Sequence, residues 1–444
     1  MNWDRLTRSW WTSALLGCLA FGVYVANGHD IGTDDTLPAC LIPHTLARGE
    51  GVRLDYFRPV LDAGGGEFFG CVTMRRGHIV SRHPVAAGIL AAPLVWAQYP
   101  IYDRIHPIWS TQPTFRWRFG IDMAKHAAAF IAACVVTLSH RLLCQLGLAG
   151  VSIPATLALA FGSPLWTISS QSLWQHGPAA LALTGSLLCM GVERPGRSRF
   201  VGAGLCIGFM VSARLVSAPL ALWFTAWVVR YHRGRLIWYL PGLLAFSIAL
   251  VAYNLYWFGG LLGGQAELEA VHPAVHAVDQ AWTLNPLPGL LGTLFSPSRG
   301  LFVFVPWVAL SLACAPWSTR RLAAFPLVGW MLWGLIPYLL MLSCYTVWWG
   351  GFCFGPRYWA DVAPLFAVLL ACALSFLGGR RPVGTVVFGI AIAWSIALQA
   401  LGAACYPSSW NLSPRSVDLD HSRLWDWGDC EVTRCLNEKL FAKK

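Results

Sequence analysis

Three aspartates fall within HDIGTDD at 29–35, directly after an apolar run, and Asp34 and Asp35 stand side by side. A carboxylate near a membrane exit can take the proton of an acceptor hydroxyl, which is general-base chemistry. A second set is cationic: Arg82 in VSRHP, Arg299 in FSPSRG, Arg357 in WWGGFCFGPRYWAD, and Arg214 between two apolar runs. Each adjoins an apolar stretch, where a charge is costly and marks function. Guanidinium groups suit phosphate, whose oxygens they bond in pairs. A third set is aromatic or imidazole and lies beside apolar runs: Trp174 and His176 in SLWQHGP, and Trp348, Trp349, Phe352 and Tyr358 around the WWGG turn.

Each set also has a plainer structural role. Asp34 and Asp35 suit the cap of an amphipathic stretch at 37–48. Arg75, Arg76 and Arg116 suit snorkelling to headgroups, the aromatics suit an interface belt, and Asp361 is placed to pair with Arg357. His272 and His276 in EAVHPAVH have helical i, i+4 spacing, but Pro273 separates them and no HExxH accompanies them. A hydrogen-bonding role is therefore favoured over zinc. No metal site is assigned, and the need for a divalent cation, Mg or Mn, is left open.

The elements that must position these groups are read from hydropathy. The 444 residues are 56% hydrophobic and 12% charged, with mean hydropathy +0.54. Soluble chains carry about twice that charge. This composition excludes a soluble enzyme, a disulfide scaffold and a disordered chain. Apolar runs lie at 10–27, 121–143, 151–168, 178–192, 200–213, 216–229, 236–256, 300–316, 322–345, 362–378 and 383–404, which predicts eleven crossings. The run at 84–101 is interrupted by Pro84, Pro93 and Pro100, and is read as a re-entrant or interfacial element that does not cross. Segment 10–27 is read as a retained anchor and not a cleaved signal peptide.

Threaded this way, 13 of the 32 basic residues but only Asp4 and Glu193 of the 21 acidic ones face the cytoplasm. They sit in short loops around Arg5 and Arg8, Arg141, Arg194 to Arg199, Arg230 to Arg235, Arg320 and Arg321, and Arg380 and Arg381. This is the positive-inside pattern. It accounts for the formal charge of +11 without nucleic acid, and it leaves carboxylate chemistry to the outer face. The expected organisation is a transmembrane module at 1–404, with outer loops at 28–120 and 257–299, and an outer tail at 405–444. The amino terminus is read as cytoplasmic and the carboxyl terminus as periplasmic, in a bacterial inner membrane. Cys40, Cys71, Cys353, Cys405, Cys430 and Cys435 are read as outward-facing, so a Cys40–Cys71 or tail disulfide is open. Among nucleotide and hydrolase signatures there is no P-loop, dinucleotide fingerprint or GxSxG.

In order, the blocks DTLPACLIP (35–43), LDYF (54–57), RGHIVSRHPVAAGILAAP (76–93), ISSQSLWQHGP (168–178), ARLVSAP (213–219), LFSPSRGLFVFVP (294–306), GGFCFGPRYWADVAP (350–364) and LWDWGD (424–429) span nearly the whole chain. They resemble a family of bacterial polytopic membrane proteins in the GT-C glycosyltransferase superfamily. The resemblance implies an all-α, GT-C-like bundle whose first outer loop carries amphipathic or re-entrant helices and the catalytic carboxylate. It also implies transfer of a sugar from a polyprenyl-phosphate carrier to an extracytoplasmic glycan, lipid or protein acceptor. By that resemblance Asp35 is the catalytic base with Asp34 beside it. Arg299, Arg357 and Arg82 take the donor phosphate, and Asp55, Trp174, His176, Tyr358 and Asp361 contact substrate. The chain departs from the family's pattern at His83-Pro84-Val85 and Cys40-Leu41-Ile42, and the second departure removes a polar contact. Two alternatives draw on the same residues. One is a lipid-linked-glycan flippase, which calls for mid-span charges and inverted repeats that the sequence lacks. The other is an O-antigen-ligase-like transferase using outer Arg and His residues.

Overall fold

The computed structural model describes residues 7–63, 70–378 and 381–441; Asp4, Arg5 and Arg380 of the charge count lie outside the described residues. Helix follows helix along almost the whole chain, as it must where apolar surroundings leave backbone groups no partner outside their own segment. Among the described residues, five helices are long and apolar enough to cross a membrane: Pro113–Gln145, Arg233–Phe258, Pro326–Cys344, Arg357–Leu377 and Pro382–Cys405. Ile237, Leu244, Ile248 and Leu255 lie exposed along the second, and Val383, Val386, Ile390 and Trp394 along the last. Apolar stripes of this length at helical spacing fit lipid and not water.

The count of five corrects the expected eleven. The remaining runs form helices such as Trp10–Val25, Ala149–Phe161, His176–Met190, Arg197–Ala213 and Ala218–Tyr231, none longer than 17 residues. At 1.5 Å per residue they reach about 20–26 Å, short of a hydrocarbon core of about 30 Å. Proline and glycine set several of their ends. The run at 151–168 breaks at Gly162 and resumes as one wide turn at Leu165–Ser169, and the run at 300–316 is split at Pro306. Residues 84–101 give two short helices, Ala86–Trp96 and Tyr99–Ile105, neither long enough to cross.

Pro113–Gln145 is the hub. Its 33 residues span about 50 Å, and it packs against Trp10–Val25, Leu37–Ala47, Ala86–Trp96, Ala149–Phe161 and His176–Met190. Leu37–Ala47 departs from the expected amphipathic surface helix, because every residue from Leu37 to Thr45 is buried. A second departure from the all-helical expectation is an antiparallel hairpin, β1 (Val72–Arg75) and β2 (His78–Ser81). Its turn, Arg76-Gly77, has positive φ at both positions, the conformation that suits a two-residue hairpin loop. The tail is not a loose appendage. Trp410, Val417 and Leu424 bury themselves against Val347, Trp348 and Trp349. Cys40 and Cys71 sit in separate apolar clusters.

Candidate active site

Asp35 sits in a single 3-10 turn, Asp34–Thr36, just ahead of the buried helix Leu37–Ala47. The turn is tied down from both sides. The Ile31 N–H donates to the Gln171 carbonyl (3.0 Å), and the Trp174 indole N–H donates to the Ile31 carbonyl (3.2 Å). Between them Gly32 is pressed so close that a Cβ there would lie 2.5–2.6 Å from Thr36 Oγ1, Asp30 Oδ2 and Ser172 Oγ. Any larger residue there would push these three side chains aside. The two neighbouring aspartates separate at this turn: Asp34 is exposed, whereas Asp35 turns inward with its side chain 35% exposed.

Arg357 reaches the same place from the far end of the chain. The loop before it turns at Gly350, Gly351 and Gly355, all at positive φ, and the 3-10 turn Arg357–Val362 then opens helix Ala363–Leu377. Arg357 Nη2 lies 2.8 Å from Asp35 Oδ2, and its guanidinium lies over the Trp174 ring, 4.6 Å from the centroid. His83 Nε2 lies 3.4 Å from Asp35 Oδ1. Burial pushes the Asp35 carboxyl up, but Arg357 and His83 outweigh it and hold the group well below the usual carboxylate range. Asp30, five residues earlier, has no such partner pair. Burial drives it up to about 6, against the opposing pull of Ser172, Gly32 and Lys125.

One turn past Arg357, Asp361 does not pair with it as expected. This buried carboxylate instead holds three groups: His176 Nδ1 at 2.8 Å, Arg214 Nε at 2.5 Å and the Tyr338 hydroxyl, which donates at 2.8 Å. Arg214 ends helix Arg197–Ala213, and His176 begins helix His176–Met190. The free edges of both side chains are left over. Among the described residues His176 Nε2, Arg214 Nη2 and Arg357 Nε are buried with no hydrogen-bond partner, a costly state unless a polar ligand satisfies them.

All three side chains line one cavity of about 120 Å³, together with Asp35, His83 and Trp174. Tyr358, His272, Tyr345 and Trp282 also line it. The His272 ring accepts or donates at 2.7 Å to the Tyr345 hydroxyl. Burial first, and His276 beside it, bring its pKa down to about 4, so it is neutral at neutral pH. The cavity thus gathers one carboxylate, two guanidinium groups and the rings of Trp174, Trp282, Tyr345 and Tyr358 from stretches that lie more than three hundred residues apart.

The other expected site residues lie elsewhere. Arg299 is only 2% exposed and its charge is already committed: Nη1 is 2.6 Å from Glu431, and Nε donates to the Trp349 carbonyl at 2.9 Å. It ties the tail to the WWGG loop and is not among the residues that line the cavity; it borders a smaller pocket together with Arg357 and Tyr358. Arg82 points to Glu267 (3.1 Å), while its neighbour His83 takes the cavity side. Asp55 anchors the hairpin through His78 (2.6 Å), Arg58 (3.2 Å) and the Ile79 N–H (3.0 Å). Asp34 is outside the lining. Conversely, the residue pattern gives His83 and Tyr345 no site role and His272 one only in the ligase-like alternative, while Arg214 stands among the four arginines suited to phosphate. That signal, a charge fixed between two apolar runs, was the informative one. Among the described residues no three His, Cys, Asp or Glu side chains are grouped to hold a metal ion.

Comparison of the chain with protein-family models, with curated proteins and with solved structures finds no match, so the reading of this site rests on the geometry of its own residues.

Proposed function

We propose that the chain is a membrane glycosyltransferase that moves a sugar, with inversion, from a polyprenyl-phosphate carrier to an extracytoplasmic acceptor. The observation that carries this reading is the meeting of Asp35 with Arg357 and Arg214 in one cavity whose cationic edges lack partners. In the proposed step the acceptor oxygen attacks C1 of the sugar and the C1–O bond to phosphate breaks. The bond's electron pair leaves on the lipid phosphate, and the acceptor proton passes to Asp35. A phosphate leaving group is a weak base and needs no protonated acid, so a single carboxylate suffices. Arg357 and Arg214 stabilise the charge that grows on the phosphate, and Trp174 and Tyr358 offer faces to the sugar. In the resting site Arg357 mutes Asp35 by pairing with it. A bound phosphate competes for that guanidinium, so the donor itself restores the basicity of Asp35. The sidedness proposed with it places the Arg-rich short loops in the cytoplasm and the cavity on the periplasmic face of a bacterial inner membrane.

The test is sugar transfer by the purified full chain in nanodiscs, supplied with a panel of polyprenyl-phosphate hexoses and pentoses. Asp35→Asn is expected to lower kcat by about 10²–10⁴-fold, the span of general-base catalysis. Transfer by that variant at the wild-type rate would remove Asp35 as base. A second reading, the ligase-like transferase using a diphosphate-linked glycan, draws on His272 lining the same cavity as the arginines. In that case His272→Ala, and not Asp35→Asn, abolishes transfer.

A further inference from the structure

The WWGG approach and the second outer loop meet along a short antiparallel bridge between Trp282 and Tyr345. Thr283 N–H donates to the Cys344 carbonyl (2.8 Å), and Thr346 N–H donates to the Ala281 carbonyl (3.0 Å). Successive side chains on extended backbone face opposite ways, and the bridge uses this as a partition. Trp282 lines the reaction cavity, Thr283 and Thr346 line a second cleft on the other side, and Tyr345 lines both. This second cleft, about 370 Å³, is roughly three times the volume of the first.

Its far wall is aromatic. Trp348 and Trp425 meet at 54° with ring centroids 6.0 Å apart, and His421 packs against Trp349 at 4.5 Å. Trp425 is supplied by the tail, which Arg299 and Glu431 clamp in place, and it remains exposed on the cleft side. Among the described residues no Asp, Glu, Lys or Arg lines the cleft, and His421 Nε2 is engaged with the His276 carbonyl at 2.9 Å. Such a wall has no cation for a phosphate. Its hydroxyl and amide groups, on Thr283, Asn285 and Thr346, are out of place in an isoprenoid channel. Indole faces with a few polar edges fit a molecule that is apolar on its ring faces and hydroxylated around its rim.

We propose that this cleft binds a neutral saccharide, the acceptor glycan, whose reactive hydroxyl reaches the cavity past Tyr345. The acceptor role rests on the glycosyltransferase reading, whereas the saccharide site itself does not. The experiment titrates the full chain in nanodiscs with maltotriose, mannotriose and triacetylchitotriose, read by saturation-transfer NMR and tryptophan fluorescence. At least one trisaccharide is expected to bind. Trp425→Ala and, separately, Asn285→Ala are each expected to weaken it about tenfold, worth about 1.4 kcal/mol, while Asp35→Asn leaves binding intact. Both substituted side chains are exposed, so folding is spared. Absence of binding by all three sugars, or wild-type binding by both cleft variants, overturns the proposal. So does displacement of the trisaccharide by farnesyl phosphate, which would make the cleft a lipid site. If the sugar binds through Trp425 yet Asp35→Asn transfers normally, the base assignment fails and the saccharide site stands.

Discussion

Asp361 gives the sharpest test of the cavity, because it does not line the cavity and yet holds two side chains that do, Arg214 and His176. The carboxylate is 2% exposed and accepts from Arg214, His176 and Tyr338 at 2.5–2.8 Å. Asp361→Asn keeps the shape but removes the charge, and its amide can accept on only one side. Arg214 then keeps a buried charge with no counter-ion. Breaking a buried pair costs about 3–5 kcal/mol, and the residual acceptor puts Asn near the lower end. The same loss frees Arg214 and His176 from their positions on the cavity. One charge-assisted hydrogen bond to the donor phosphate, about 1.5 kcal/mol, converts to about a tenfold rise in donor KM. Asp35 and Arg357 stay in place, so kcat falls only by the share of transition-state charge that Arg214 carried, alongside the rise in KM. Asp361 is thus a positioning residue, and a double-mutant cycle separates that role from general destabilisation. Arg214→Met in the Asp361→Asn background should cost about 2 kcal/mol less than in the wild type, within the range of contacting pairs. Denaturant unfolding and donor kinetics in nanodiscs read both effects. Additive costs, or a donor KM that does not move, would refute the inference that Asp361 sets the cavity's cationic edge.

Three further outcomes discriminate between neighbouring groups. Asp35 lies well below the usual carboxylate range and Asp30 is raised to about 6, so kcat/KM should stay level from pH 7 down to pH 5. An acid limb near pH 6 in a pH–rate profile would transfer the base role to Asp30. In unfolding, the sign for Asp30 is the reverse of the usual aspartate. Its folded state binds the proton more tightly, so its contribution to stability falls as pH rises from 3.8 to about 6, and Asp30→Asn should abolish that slope in thermal scans. For Arg299, Met in its place should cost about 3–5 kcal/mol by leaving Glu431 buried and unpaired. The double change Arg299→Met/Glu431→Leu recovers most of that loss, with donor affinity unchanged throughout. A loss of donor binding equal to that of Arg357→Met would return Arg299 to the phosphate.

Hydropathy made the helical, membrane-suited character legible, and the five long apolar helices coincide with five of the expected runs. The count failed where proline and glycine end helices inside apolar runs, because hydropathy registers composition and is blind to a break at Gly162 or Pro306. At the site, residue type and placement picked out Asp35, Arg357, Trp174, His176 and Tyr358, which do share one cavity. What the sequence could not display is prior commitment. Arg299 and Arg357 sit in equally suggestive motifs, but only the folded chain brings Glu431 to one and leaves the Nε of the other unsatisfied. The same holds for the hairpin, where a short alternating stretch was hidden among helices and Asp55 was taken up by His78.

Tyr345 belongs to two walls at once, and that gives the partition a thermodynamic consequence. Its hydroxyl is bonded to His272 on the donor side, while its ring borders the cleft built by the tail. A ligand that shifts this side chain from either side alters the affinity on the other, and linkage requires the two effects to be equal in free energy. If a saccharide in the cleft tightens the lipid phosphate by some factor, the lipid phosphate tightens the saccharide by that same factor. In the proposed reaction, futile loss of donor to water then becomes a matter of occupancy, with the second substrate's arrival written into the affinity for the first.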